Sequence, residues 1–364
     1  MKNILIPFVG DTIGGSHISD VELMQAVGQG DFSVVYLLHK AGALKQYLED
    51  RDIIPDIQGD LYVPRSLQDL LSNLGRYIVS IKKASVYLKT QKIDAVYCSD
   101  GPLRYVWFYA AKLAKVRFVL TQHALSSSSL EKKISYRLLD GLVVNSTFMK
   151  AHLPVPLKDN RLVISYPIVQ LHSENKKTDL LGPKDVFRIG FVANMRHVKR
   201  PYVFLDMAKQ LIKKYQNMHF YMVGECYGDE HKNITNYIQN EGLEKYVSLI
   251  GFQDYIHATM KQFDLIVAPA VGEAFGRVPV EAALLNVPVV AAKAGGHEEV
   301  IIDGKTGLLA EPDNVADFVR NVERLHQDKD LYKAIQKQAY EHVKNKFAFA
   351  EQAIKVRMLL DAIL

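Results

Sequence analysis

Short apolar runs alternate with amphipathic stretches along most of the chain. "NILIPF" (3–8), "FSVVYLLH" (32–39), "IDAVYCS" (93–99), "VRFVLTQH" (116–123) and "GLVVNS" (141–146) are dense in Val, Ile, Leu and aromatic residues, and they predict β-strands. Between them, "HISDVELMQAVGQG" (17–30), "LQDLLSNLGRYIVSIKKASVYLKTQ" (67–91) and "LRYVWFYAAKLAK" (103–115) repeat apolar residues with helical spacing. Strands that are apolar nearly throughout are buried on both faces. That is the condition of a parallel sheet covered by helices.

The alternation breaks over residues 153–186, which hold Pro154, Pro156, Pro167 and Pro183 and the polar run "SENKKTDLLGPK". It then restarts with "FRIGFVA" (187–193), "HFYMVG" (219–224), "VSLIGF" (247–252), "DLIVAPA" (264–270) and "VPVVAAK" (287–293). Helices lie between these runs, one starting at Pro201 and one near Pro279. The expected architecture is therefore α/β, with two doubly wound parallel-sheet domains. We place an N-terminal domain at 1–165, a linker at 166–186 and a C-terminal domain at 187–345. The amphipathic helix at 346–364 is expected to pack back toward the N-terminal domain.

A length of 364 residues suits two cores rather than one. No apolar run of about 18 residues occurs, so nothing is expected to span a membrane. The opening "MKNILIPFVGD" reads as a first strand and not as a signal peptide. Only two cysteines occur, Cys98 and Cys226, which argues for a reducing compartment and a cytoplasmic protein. The net charge is +5, but residues 76–150 alone hold 13 basic and 4 acidic residues. This is either a solvated face or a surface for a phosphate-rich partner, anionic lipid or nucleic acid. Within it, Arg76, Lys82, Lys83, Lys89 and Lys92 interleave with Tyr77, Ile78, Ile81 and Val86 on a helical pattern. A basic amphipathic helix of this kind can lie on an anionic bilayer, which gives a peripheral protein on the inner membrane face. No nucleic-acid-binding motif accompanies the basic stretch.

The chemistry concentrates in "GEAFGRVPVEA" (272–282), at the carboxyl end of the run "DLIVAPA". Ligands of open parallel sheets sit at the carboxyl ends of strands. Pro279 predicts a helix start, which puts Glu281 in the first turn and Glu273 in the loop before it. Gly272 and Gly276 allow close backbone approach, and Arg277 adds a fixed positive charge beside free helix amides. Together they make a phosphate site. Taken alone, two glutamates at this spacing are equally ordinary acidic residues near a helix start.

The full string "DLIVAPAVGEAFGRVPVEAALLNVPVVAAKAGGHEEVIIDGKTGLLAEPDN" resembles the nucleotide-sugar signature of the retaining "glycosyl transferases group 1" family, relatives of glycogen and sucrose synthases. Glu273, Glu281, Pro288, Gly295, Gly296, Glu298, Asp303, Gly304, Thr306 and Gly307 match in order. Ala270 and Asn286 depart from a usual Ser and a usual Gly. The resemblance implies two Rossmann-like domains facing across a cleft (the GT-B fold). It assigns Glu273 to the transferred sugar, Glu281 to the ribose, and Phe275, Gly276 and Arg277 to the diphosphate.

In "FVANMRHVKRP", Lys199 matches the family lysine on the diphosphate. The family arginine falls on Asn194, with Arg196 the candidate to supply its charge. "GDTIGGSH" places Gly14 and Gly15 where the family has a glycine pair near the donor phosphates, although alone they make an ordinary turn. His123 ends a strand where the family often has a histidine near the sugar, and the serine run after it reads as a mobile loop on the acceptor side. Asp140 and Ser146 match a family element and read as structural.

No Asp-x-Asp follows a strand and no metal-ligand spacing occurs, so neither cofactor nor metal is expected. Lys199, an arginine and the helix dipole would neutralise the leaving diphosphate instead. The implied function is a retaining glycosyltransferase working on a nucleotide-sugar, with UDP favoured over GDP. Its acceptor would be a glycan or lipid-linked glycan in cell-surface polysaccharide or lipopolysaccharide synthesis. The alternative is a non-catalytic nucleotide-sugar sensor or partner subunit, which the Asn194 departure favours.

Overall fold

The computed structural model describes residues 1–11, 13–64, 67–99, 101–125, 129–171, 185–253 and 255–364. Most of the expected linker and serines 126–128 of the expected acceptor-side loop lie outside these residues. The chain divides into two units. One is formed by Met1–Ile168 with Phe349–Leu364, and the other by Val169–Ala348.

The first unit is built on seven parallel strands: β1 (Lys2–Phe8), β2 (Phe32–Leu38), β3 (Asp56–Ile57), β4 (Ala95–Ser99), β5 (Arg117–Gln122), β6 (Gly141–Val144) and β7 (Leu162–Ile164). Their order across the sheet is β3-β2-β1-β4-β5-β6-β7. Helices cover both faces, so Ile4, Leu5, Ile6, Val96, Tyr97 and Val119 are all without exposed surface. Each aliphatic side chain so buried contributes about 1.5–3 kcal/mol. The helical pattern at 67–91 forms two helices, Leu67–Ser72 and Leu74–Thr90. Asn73 breaks it, because its Nδ2 donates to the Asp69 carbonyl and to Asp69 Oδ1, both at 3.1 Å. Such a side chain offers the backbone an alternative to continued helix.

The last helix, Phe349–Ile363, belongs to this unit. Val356, Leu359 and Leu360 are buried in its core with Val27 and Val143. Gln352 Oε1 accepts from the Tyr166 amide (3.1 Å), and Arg357 Nη2 donates to the Val27 carbonyl (2.9 Å) at the end of the helix Gly15–Val27. Gly141 eases the close approach, since a Cβ there would lie 3.2 Å from Leu359 Cδ2, tighter than an ordinary contact.

His39, just past β2, is buried against Trp107, whose Nε1 donates to His39 Nε2 (3.0 Å). An indole nitrogen can only donate, so that Nε2 carries no proton and the ring is neutral. Burial pushes the pKa of His39 down to about 4, with Asp60 opposing part of the shift. The unfolded chain takes up this proton near pH 6.5 and the folded chain only near 4. The stabilising contribution is therefore complete above pH 6.5 and is lost as pH falls from 6.5 to 4. Over that window the loss is about 3 kcal/mol. Urea unfolding at pH 7.5 and 4.5 checks this, because His39→Gln should shrink a difference to which other buried histidines such as His297 also contribute. An unchanged difference would overturn it.

The second unit carries six parallel strands: β8 (Phe187–Val192), β9 (Met218–Val223), β10 (Val247–Gly251), β11 (Leu265–Ala268), β12 (Val289–Ala292) and β13 (Leu308–Ala310). Their order is β10-β9-β8-β11-β12-β13. One apolar core joins Ile189, Phe191, Phe204, Phe220, Val267, Val290 and Phe318.

Candidate functional site

In the second sheet the strand order reverses between β8 and β11. Loops leaving the carboxyl ends of two such strands diverge and open a crevice, the usual ligand position in this class of sheet. The loop after β8 carries Asn194, Arg196 and Lys199, and the loop after β11 carries Glu273 through Gly276. The Val271 amide ties the two loops together by donating to the Val198 carbonyl (3.2 Å). The Lys199 ammonium pairs with the Glu273 carboxylate, and both side chains are half-buried. Residues 74 apart in sequence thus meet at the reversal point.

The loop holding Glu273 is clamped from behind. The Gly296 amide donates to the Glu273 carbonyl (2.8 Å). A Cβ on Gly296 would lie 2.2 Å from Phe275 Cα, and one on Gly295 2.4 Å from the Glu273 carbonyl oxygen. Gly276 has φ 88°, and a Cβ there would also lie 2.6 Å from His297 Cδ2. His297 is 1% exposed and its Nδ1 donates to the Ala292 carbonyl (3.1 Å), so it forms the floor of the loop. Burial lowers its pKa, against an opposing pull from Glu273.

The helix after this loop is Arg277–Leu284, not one starting at Pro279. Pro279 is its third residue, where a missing N–H still costs no hydrogen bond. Glu281 therefore falls in the second turn and not the first. It is 7% exposed and accepts from Arg277 Nε (3.2 Å). The Phe275 ring is also buried, edge-on to Phe347 with ring centroids 5.2 Å apart. It anchors the loop, which leaves its backbone as the part able to meet a ligand. Asn286 has φ 59°, the left-handed region. That explains why a glycine is usual there and why Asn, which tolerates the conformation, can replace it.

Asn194 braces the loop after β8 to the one after β9. Its Oδ1 accepts from the Glu225 amide (3.3 Å), and its Nδ2 donates to the Tyr227 hydroxyl (3.4 Å). Arg196 stacks on the Tyr227 ring, 4.9 Å from its centroid. Past β10, Phe252 is 64% exposed next to Gly251, whose carbonyl accepts from the Gly224 amide.

In the first unit the order reverses between β1 and β4. Gly14, with extended backbone at φ −151°, caps the helix that begins at Gly15, and the first turn of that helix carries no acidic residue. His123 follows β5. Its Nε2 lies 2.9 Å from Asp20 Oδ2, and Asp20 is 1% exposed. Asp20 escaped the sequence reading, although it shares a helical spacing with Met24 and Val27 that marks a buried face. Asp140 binds Lys112, Arg117 and the Phe118 amide, and Ser146 caps the helix Thr147–Ala151, so both are structural.

Residues 172–342 match the family model "Glycosyl transferases group 1". An uncharacterized glycosyltransferase of Methanocaldococcus jannaschii is 27% identical over 256 residues, 67% of this chain and 68% of the relative. The lipopolysaccharide core biosynthesis mannosyltransferase LpsB of Rhizobium meliloti is 24% identical over 69% of this chain and 73% of its own length. A D-inositol 3-phosphate glycosyltransferase of Corynebacterium kroppenstedtii is 27% identical over 59% of this chain, which spans about half of that relative (49%). Among solved structures, Anabaena HepE in complex with UDP and glucose superposes with a TM-score of 0.83 at 21% identity, covering 99% of this chain and 100% of that one. The two parallel-sheet α/β units and this likeness identify the fold as GT-B.

Proposed function

We propose, from its likeness to the group 1 glycosyl transferases, that this chain moves a sugar from a nucleotide-sugar to a glycan or lipid-linked glycan with retention of configuration. The observation that carries this reading is the Lys199–Glu273 pair at the β8/β11 reversal. An ammonium and a carboxylate held together but still partly exposed can both turn to a ligand. Lys199 takes the leaving diphosphate and Glu273 takes the sugar hydroxyls. Arg277, the amides at the start of its helix and Arg196 add positive charge, so neutralisation of the diphosphate proceeds without a metal. Glu281, beside Arg277, suits the ribose diol. Gly14 and Gly15 are assigned to the donor phosphates and His123 to the transferred sugar. The complex of HepE with UDP and glucose supports a UDP-sugar donor.

A panel of UDP- and GDP-sugars tests the donor by thermal stabilisation, because a ligand that binds the folded state raises Tm in step with its affinity. A UDP-sugar is expected to give the largest rise. No stabilisation by any member of the panel contradicts the reading. The anomeric configuration of the product, read by proton NMR, tests retention. Donor binding without turnover on any acceptor would instead favour the non-catalytic sensor.

The acceptor reading rests on the helix Leu74–Thr90. Its outer face exposes Leu74, Ile78, Val79 and Val86 among Arg76, Lys82, Lys83 and Lys89. Among the described residues no helix is long and apolar enough to cross a membrane. A mixed apolar and cationic face suits an anionic bilayer carrying a lipid-linked glycan, on the cytoplasmic side. Co-sedimentation with vesicles containing anionic lipid is expected to exceed that with neutral vesicles, at about 1 kcal/mol per contacting cation. Replacing Lys82, Lys83 and Lys89 with Gln should abolish the difference, and equal pelleting at the outset would overturn the reading.

A further inference from the structure

We propose that Asp20 is the positioning residue for His123, fixing the orientation and tautomer in which that ring meets substrate. The inference rests on the reading of His123 as a substrate-facing residue. Three elements around the β1/β4 reversal converge on this one carboxylate. Asp20 comes from the helix after β1, Ser99 from the end of β4, and His123 from the position after β5. Ser99 Oγ donates to Asp20 Oδ2 (2.6 Å), and His123 Nε2 lies 3.0 Å and 2.9 Å from its two oxygens.

A carboxylate that is 1% exposed must be paired, because desolvating a lone charge is costly. A carboxylate can only accept, so the Nε2 facing it carries a hydrogen, which in a neutral ring selects the Nε2-protonated tautomer. The backbone at this point is held by other groups. Asn145 Nδ2 donates to the His123 carbonyl (3.2 Å), and Gln122 Nε2 to the Ala124 carbonyl (3.0 Å). Asp20 therefore acts on the ring and not on the path of the chain. Asp20 lies on the helix that follows β1, beside the carboxyl ends of these strands, where this class of sheet binds its ligands.

Selective 15N-histidine labelling of the full chain tests the tautomer, with the His123 signals identified by their loss in His123→Ala. The wild-type ring is expected to be protonated at Nε2. In Asp20→Asn, whose amide can donate, it should shift toward the form protonated at Nδ1. An Nδ1-protonated wild-type ring, or the same tautomer in both proteins, overturns the proposal. Turnover of the nucleotide-sugar that most stabilises the protein gives the second readout. Asp20→Asn should lower kcat about tenfold or more with donor KM nearly unchanged. The double variant should be no slower than His123→Ala alone. Additive losses would make Asp20 merely structural. Wild-type turnover in His123→Ala would instead remove the reading of His123 itself, a separate outcome. If Asp20→Asn does not fold, Ser99→Ala loosens the same carboxylate. It should lower kcat in the same direction, and an unchanged kcat there overturns the proposal.

Discussion

Glu273→Ala is expected to reduce kcat for sugar transfer by about a hundredfold to a thousandfold, the usual cost of removing one preorganised electrostatic contact, or roughly 3–4 kcal/mol. The sign of the effect on donor binding is as informative as the loss of rate. In the resting protein Glu273 neutralises Lys199. Deleting the carboxylate frees that ammonium for the donor diphosphate, so donor KM should stay level or fall while kcat collapses. Lys199→Ala should do the reverse at the binding step and raise donor KM. Initial rates of nucleotide release over a donor titration separate the two patterns. Wild-type turnover in Glu273→Ala would falsify the assignment.

Gly296→Ala should be a severely damaging single methyl group in the second unit. The backbone of Gly296 is in an ordinary right-handed conformation, so the cost is purely steric. The new Cβ would lie 2.2 Å from Phe275 Cα and 2.5 Å from its carbonyl oxygen, both backbone atoms that no rotamer change can move. Overpacking against backbone costs about 3 kcal/mol or more, which lowers the Tm of a unit of this size by about 6–12 °C. The displaced segment leads straight into Gly276 and Arg277, so donor affinity should fall as well. Gly14→Ala is the control for folding, since a Cβ there meets nothing within 4 Å and its φ is open to any residue. Differential scanning calorimetry of the two variants decides. Equal Tm values would show that the turn at 296 can relax.

Much of the architecture was legible because parallel strands carry their burial in their composition. Runs such as 3–8 and 264–270 could hardly be anything else. β3, β7 and β13 were not foreseen, as two or three residues are too few to show a pattern. The start of the helix at Arg277 was missed because proline favours the first helical position but is tolerated anywhere in the first turn. The left-handed Gly276 settled the boundary instead. Within the site, Glu273 and Lys199 were legible through resemblance, but their contact was not, since nothing local links residues so far apart. Arg196 was legible as a charge and Tyr227 as an aromatic, but not the stacking between them. Asp20 was visible only as an odd residue on an apolar face, and its meaning depends on where β4 and β5 end.

The helix Phe349–Ile363 also sets an order of assembly. Residues 169–348 are continuous, so the second unit has its whole sequence while the chain is still being made. The first unit begins earlier but is completed after the second, because its core lacks Val356, Leu359 and Leu360 until residues 349–364 have left the ribosome. A chain that stops at residue 348 keeps every donor-side residue of the second unit, yet leaves the face beside Gly141 and Val27 open to water and to other unfinished chains. Residues 349–364 thus close the first domain only after the whole of the second has been made.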